Sequence, residues 1–229
     1  MTYQLYIGDR TFSSWSLRGW LMLEKFGQPF QTTMVGLYAG TMKADLAHLA
    51  PARTVPVMQT PGGHVLTDSL SMAETLVETH PDIDFYPKDP AARALARNLI
   101  AEMHSGFTAL RDACPMMVRF RWNGFQPSPA VRDDLARIEH LWDLARARHG
   151  GSGPWLFGAY SLADVFYAPV AMRITAYDLP VSAASQAYVA AHLADPAFLA
   201  WRKASLKEVH EPWPYPLDWP QFPWPGDIN

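Results

Sequence analysis

Val55-Pro56-Val57-Met58-Gln59-Thr60-Pro61-Gly62-Gly63-His64-Val65-Leu66-Thr67-Asp68-Ser69 is the stretch that decides the fold. Two β-prone runs flank Pro61-Gly62-Gly63, a hairpin signature. Asp68 and Ser69 follow as favoured helix N-caps. Leu70, Ala73, Leu76 and Val77 then recur at helical spacing until Pro81. Upstream, Lys43–Leu49 reads as a short helix and Phe30 to Val35 as a strand. Before that, Leu17, Trp20, Leu21, Leu23 and Phe26 keep helical spacing until Gly27, with Arg18, Glu24 and Lys25 as the polar face. Tyr3 to Gly8 is a first strand. The order is β-α-β-α-β-β-α. The strand–helix–strand crossover makes the first two strands parallel, and the hairpin adds antiparallel pairing.

Beyond residue 85 the pattern is helical. Pro90 opens one long segment through about Cys114, with Leu95, Leu99, Met103, Phe107 and Leu110 near one face. Pro127 to His149 is a second helix, Ser161 starts a third, and 183–193 and 195–206 read as two more. The expected boundaries are residues 1–82, 90–210 and a tail over 211–229. Six prolines and three tryptophans crowd Glu211 to Gly226. Proline this dense makes neither helix nor central strand. Tryptophan is costly to leave in water, so the tail is expected to pack along the globule.

Composition narrows the function classes. The chain has 229 residues, 49% hydrophobic and 18% charged, enough apolar matter for a core. A net charge of −3 argues against a nucleic-acid binder. No run approaches the ~18 apolar residues of a membrane span. The N-terminus has no signal-peptide pattern, so a cytoplasmic location is expected. Cys114 is the sole cysteine, which excludes an internal disulfide framework. The eight histidines form no H-x-x-x-H or H-E-x-x-H pattern, so no metal is expected.

Few residues carry chemistry. Phe12-Ser13-Ser14-Trp15-Ser16 lies between the first strand and first helix, where unpaired N–H groups and the dipole favour an anion. A serine here holds a thiolate or oxyanion, or simply caps the helix. Asp68-Ser69 reads either as a cap or as a pair that binds a small ligand's ammonium and carboxylate. Ser161-Leu162-Ala163-Asp164 is an S-x-x-D capping-box variant and reads as structural.

The joint spacing of Phe12-Ser13-Ser14-Trp15-Ser16-Leu17-Arg18, Val55-Pro56-Val57, Asp68-Ser69 and Ser161-Leu162-Ala163-Asp164 resembles the cytosolic glutathione transferases, from Tyr3 to about Leu206. The resemblance implies an α+β thioredoxin-like N-terminal domain followed by an all-α helical bundle, with a cis Val55-Pro56 bond. The Ser13-Ser14-x-Ser16 start is most similar to the zeta class and related serine-type bacterial enzymes. On that resemblance glutathione is the co-substrate, and Ser13, with Ser14 as second candidate, stabilises its thiolate. Val55 beside Pro56 holds the cysteinyl part, Asp68 and Ser69 the γ-glutamyl end, and Arg53 and Thr54 the glycyl side. Trp15, His104, Phe107 and Arg111 line the electrophile pocket, with Met103 and Met116 nearby. A homodimer is implied. The zeta signature has a cysteine where this chain has Trp15, whose bulk narrows or reshapes the pocket.

The implied activity is addition of the glutathione thiolate to small hydrophobic electrophiles. An ordinary thiol near pKa ~8.5 is only roughly 3% ionised at pH 7, so a site must lower that value to work. A hydroxyl donor at a helix N-terminus supplies that stabilisation. The alternatives are a glutathione-dependent isomerase or dehalogenase, and a non-catalytic protein of the same fold that carries apolar ligands. A thiol oxidoreductase would place a cysteine at the start of the first helix, where this chain has Ser13 and Ser14.

Overall fold

The first strand, β1 (Tyr3–Ile7), alternates buried and half-buried side chains, the period-2 pattern of a sheet covered unequally on its two faces. The computed structural model describes residues 2–208, 214–215 and 217–226. After β1 come α1 (Ser14–Glu24), β2 (Phe30–Met34), α2 (Met42–Asp45), β3 (Val57–Gln59), β4 (Val65–Leu66) and α3 (Ser69–Thr79). This is the β-α-β-α-β-β-α order expected of a thioredoxin-like domain. The helix expected over Lys43–Leu49 is regular only through Asp45.

These elements form a four-stranded sheet in the order β2-β1-β3-β4. β1 and β2 are parallel, with Tyr3 opposite Phe30 and Ile7 opposite Met34. β3 runs antiparallel to β1, with Tyr6 opposite Val57, and β4 runs antiparallel to β3, with Met58 opposite Leu66. Leu5, Ile7, Val57 and Met58 of the sheet are buried, as are Leu17, Leu21 and Leu23 of α1 and Met72, Ala73 and Leu76 of α3.

The chain divides into two units, Met1–Ile83 with Ala200–Pro214, and Asp84–Leu199 with Tyr215–Asn229. The first unit thus gains Trp201, whose indole lies 5.5 Å from that of Trp20 and donates Nε1–H to the Arg10 carbonyl at 2.9 Å. The second unit holds α4 (Pro90–Ser105), α5 (Thr108–Ala113), β5 (Phe120–Trp122), α6 (Pro129–His149), α7 (Leu162–Ala176), α8 (Ala183–Ala194), the start of α9 (Pro196–Ser205) and β6 (Gln221–Pro223). Every residue of α7 is buried, Asp164 and Arg173 included, so this helix is covered all round by its neighbours. Its start is fixed by Asp164, whose carboxylate accepts from Leu156 N–H, Ser161 N–H, Ser161 Oγ and the Tyr188 hydroxyl at 2.8–3.1 Å. Burial pushes this carboxyl up, and the donors pull it back.

Three expectations change. The long helix from Pro90 to Cys114 is two helices, α4 and α5, because Phe107 adopts φ 56°, the left-handed region. Arg18 is not on a polar face but is buried. The proline-rich tail supplies a strand, with β6 pairing antiparallel to β5 so that Phe222 faces Arg121. Two strands leave an unpaired edge, which is where proline is tolerated. Trp224 is buried 6.2 Å from Phe198, and Trp219 lies 5.5 Å from Phe125. Pro212, Trp213 and Pro216 of the tail lie outside the described residues.

Candidate active site

Sheet topology brings three chain segments to one edge of the first unit. β1 ends at Ile7 and leads into α1. β3 is antiparallel to β1, so its entry segment at Val55-Pro56 meets that same edge. β4 is antiparallel to β3, hence parallel to β1, so it too ends there, and α3 starts from it. Strand ends feeding helix N-termini leave oriented backbone N–H groups at such an edge.

Ser13 is the N-cap of α1 and is 6% exposed. Its Oγ accepts from Ser16 N–H at 3.4 Å and lies 2.8 Å from Ser16 Oγ. Ser16 Oγ in turn accepts the Gly8 N–H at 2.9 Å. A hydroxyl rotates freely, so the Ser13–Ser16 proton can point either way. Ser14 opens the helix, is 7% exposed, and donates its N–H to Phe12 O at 3.1 Å. Two glycines let the cis-proline segment close on this turn. A β-carbon on Gly8 would meet Val55 Cγ2 at 3.0 Å, and one on Gly19 of α1 would meet Pro56 Cβ at 3.0 Å. The Val55-Pro56 bond is cis. Ser13, Ser16, Gly8, Val55 and Pro56 are therefore linked by contacts within one unit.

Asp68 caps α3, its Oδ1 accepting Leu70 N–H at 2.7 Å and Ser71 N–H at 3.4 Å. Ser69, the first residue of α3, is 0% exposed and its Oγ has no hydrogen-bond partner. A buried hydroxyl left unpaired costs free energy, which singles Ser69 out as a candidate ligand contact. Arg53 and Thr54 are exposed. Arg53 rims a cavity of about 670 Å³ with Lys43, Met42 and Leu46.

The residues expected around an electrophile divide between the units. Trp15 belongs to the first unit, half-buried, with the buried Arg18 guanidinium 4.6 Å from its ring centre. His104, Phe107 and Arg111 belong to the second. There Arg111 braces the break between α4 and α5, its Nη1 donating to the carbonyls of His104 and Gly106 at 3.4 and 3.3 Å. His104 lies 6.3 Å from Phe166, and Met103, Phe107 and Met116 are buried. Nearby, the buried Arg173 donates Nε–H to Cys114 O at 2.8 Å and is lowered to about 10 by burial and by Arg111. Burial pushes the Cys114 thiol up to about 12.

Two residues of this region carry roles that motif reading did not assign. Ser16 backs Ser13, a partnership that its three-residue spacing at a helix start could have suggested. Asp9 accepts Phe12 N–H on Oδ1 at 3.0 Å and Ser13 N–H on its carbonyl at 2.9 Å, so it shapes the turn before Ser13. An aspartate two residues past the end of β1 gives no signal of burial by itself.

Comparison with known proteins gives concordant results. Residues 12–79 match the family model described as "Glutathione S-transferase, N-terminal domain". The chain is 37% identical over 108 residues to a probable maleylacetoacetate isomerase of Caenorhabditis elegans, covering 47% of this chain and 49% of that one. It is 29% identical over 109 residues to the maleylacetoacetate isomerase of Dictyostelium discoideum, with 47% and 49% covered. The match thus spans about half the length of these curated relatives. Among solved structures, a glutathione transferase homologue from Burkholderia with bound glutathione superposes with a TM-score of 0.67 at 23% identity, over 91% of this chain and 100% of that one. One from Methylococcus capsulatus gives 0.65 at 24% identity, over 89% and 98%.

Proposed function

We propose that this chain, whose residues 12–79 match the glutathione S-transferase N-terminal family model and whose fold is that of glutathione transferase structures, is a member of that family that binds glutathione and transfers it to small hydrophobic electrophiles. The observation that carries the reading is the buried, unpartnered Ser69 hydroxyl at the same sheet edge as the Ser13 cap and cis-Pro56. Glutathione supplies the thiol nucleophile. Ser69 Oγ donates to the γ-glutamyl carboxylate, and the Asp68 carboxylate faces the adjacent ammonium. The backbone beside cis-Pro56 at Val55 receives the cysteinyl part, and Arg53 with Thr54 serves the glycyl end.

Ser13 Oγ donates its proton to the thiolate while accepting from Ser16, so the negative charge rests on a hydroxyl and on the positive end of α1. Ser13 acts as an electrostatic stabiliser and never becomes covalently attached. Ser14 is the alternative donor. Trp15, His104, Phe107 and Arg111 are the proposed electrophile contacts. A cytoplasmic homodimer without a metal completes the reading. No helix among the described residues is long and apolar enough to cross a membrane.

The relatives' names support a second reading, a glutathione-dependent cis–trans isomerase. The test is turnover of glutathione with halogenated, epoxide and cis-dienone substrates, alongside binding measured by calorimetry. Conjugation lowered at least ~10-fold by Ser13→Ala or Ser14→Ala with retained binding is the expected result. Absence of glutathione binding overturns both readings. Turnover of the cis-dienone alone replaces the first by the second. Sedimentation tests the dimer.

A further inference from the structure

The turn that presents Ser13 is gripped from 198 positions away in sequence. Glu208, just beyond α9, accepts Arg10 N–H on Oε2 at 2.9 Å and Arg10 Nη1–H on Oε1 at 2.8 Å. Trp201 donates Nε1–H to the Arg10 carbonyl at 2.9 Å, and the Arg10 guanidinium sits 5.6 Å from the Trp201 ring centre. Both main-chain polar groups of Arg10 are thus held by one C-terminal segment, within the first unit. The next carboxyl in the turn, Asp9, is 8% exposed and shares a hydrogen bond with the Glu208 carboxylate. Two carboxyl groups hydrogen-bonded to each other must hold a proton between them.

We propose that Asp9 and Glu208 form a proton-dependent clamp that fastens the segment after α9 to the turn before Ser13, and that the clamp loosens when the shared proton is lost. Asp9 and Glu208 are then positioning residues: they act on the site through Phe12 N–H and Ser13 N–H, which bond to Asp9. That functional consequence rests on the glutathione-transferase reading; the clamp itself does not.

The charges around the pair can be named. Glu208 faces Asp9 directly, and Arg10 faces Glu208. The same segment also carries the buried Arg202 and the exposed Lys203 and Lys207. β2 contributes neutral Met34, whose Sδ accepts from Arg10 at 3.1 Å, and α1 contributes Arg18, stacked on Trp15. Burial, then the Glu208 charge, raises Asp9 to about 7, against pull-back from the Phe12 and Thr11 N–H groups. Loss of the proton to solvent leaves two carboxylates face to face in a desolvated turn, and Arg10 neutralises only one. The transition therefore falls near neutral pH.

The test is amide hydrogen exchange at Arg10 and Phe12, corrected for the intrinsic pH dependence of exchange, with no glutathione present. In the wild type, protection at both amides is expected to fall about tenfold or more between about pH 6 and about pH 8.5. Asp9→Asn keeps a donor to Glu208 without a titrating proton, so its protection stays high throughout. Glu208→Gln donates to an ionised Asp9 and is likewise expected to be flat. Glu208→Ala is expected to show low protection at Arg10 at every pH. A wild-type profile that is flat, or a transition that persists unchanged in both Asp9→Asn and Glu208→Gln, overturns the clamp. A protein that shows the transition but fails to bind glutathione retains the clamp and loses the functional reading. Normal glutathione turnover with a flat exchange profile does the reverse.

Discussion

Replacing Ser16 with alanine separates the two hydroxyls at the start of α1. Ser16 Oγ accepts the Gly8 N–H at 2.9 Å and lies 2.8 Å from Ser13 Oγ, while Ser13 Oγ accepts the Ser16 N–H at 3.4 Å. A thiolate that takes the Ser13 proton makes Ser13 Oγ a better acceptor, and the Ser16 proton turns toward it. A hydrogen bond to a charged acceptor is worth about 1.5–3 kcal/mol, so Ser13→Ala raises the pKa of the bound thiol by about 1–2 units. Ser16→Ala removes only the polarisation of that bond, about 10–30% of it, which is about half a unit or less. It also strands the Gly8 N–H, which costs about 1–3 kcal/mol of folding stability. Ser13→Ala with Ser16→Ala should then match Ser13→Ala alone in thiol pKa, because the relay acts only through Ser13. Spectrophotometric titration of the bound thiolate reads the first quantity and urea unfolding the second. A Ser16→Ala shift as large as that of Ser13→Ala refutes the ordering. A shift confined to Ser14→Ala moves the donor to Ser14.

Ser69→Ala removes an unpaired buried hydroxyl, so it should leave the melting temperature unchanged or raised while weakening glutathione binding about tenfold, read by calorimetry. Asp164→Ala strands the donors of Leu156, Ser161 and Tyr188 and should cost about 3 kcal/mol or more in urea unfolding. Cys114, with its thiol at about 12, should react with a disulfide reagent at about pH 8 far more slowly than in denaturant, because only about one molecule in ten thousand is thiolate. Folding raises Asp9 from 3.8 to about 7, so folding takes up a proton between those values. Its contribution is fully present at low pH, declines as pH rises to about 7 and stays level above. Asp9→Asn should therefore gain stability relative to wild type on going from about pH 5 to about pH 8, by about 2–3 kcal/mol in urea unfolding.

The parts of the fold that sequence makes legible are those set by local rules. Ser13, Asp68 and Ser161 all cap helices in the structure, as serine and aspartate at those positions suggest. Pro61-Gly62-Gly63 makes the hairpin, and the order of elements follows from periodicity. What stays hidden depends on partners remote in sequence. Arg18 reads as a polar-face residue until Trp15 covers it and the core closes around it. Phe107 breaks a periodic helix by taking a backbone conformation that favours glycine, and the one local signal is Gly106 before it, the C-cap of α4, which the apolar spacing through Phe107 and Leu110 masks. β5 and β6 pair across about a hundred positions, one of them inside a proline-rich run that argues against any strand. The grip of Trp201 and Glu208 on Arg10 has the same character. The candidate site was legible as far as its caps, and its support was not.

Trp15 bears on which electrophile the site accepts. In the resemblance to the zeta class a small thiol side chain occupies this position, next to the serine pair. Here an indole stands there, half-buried, with a buried guanidinium 4.6 Å from its ring centre. Such a contact is worth about 0.5–2 kcal/mol, and it restricts the ring as well as attracting it. Arg18 is one turn further along α1, so the same helix that presents Ser13 and Ser14 also holds the indole in place. In the proposed site, a flat indole beside the thiol would offer stacking to aromatic and conjugated electrophiles in place of the space and the sulfur that a cysteine provides. Arg18 itself is buried, with the indole face against its guanidinium. An isomerase reading carried over from the relatives would have to work without the cysteine, with Ser13 or Ser14 as the proposed hydroxyl donor to the thiol. Conjugation places no such demand, since it needs a stabilised thiolate and an apolar surface. On these residues the transferase reading is the more economical of the two.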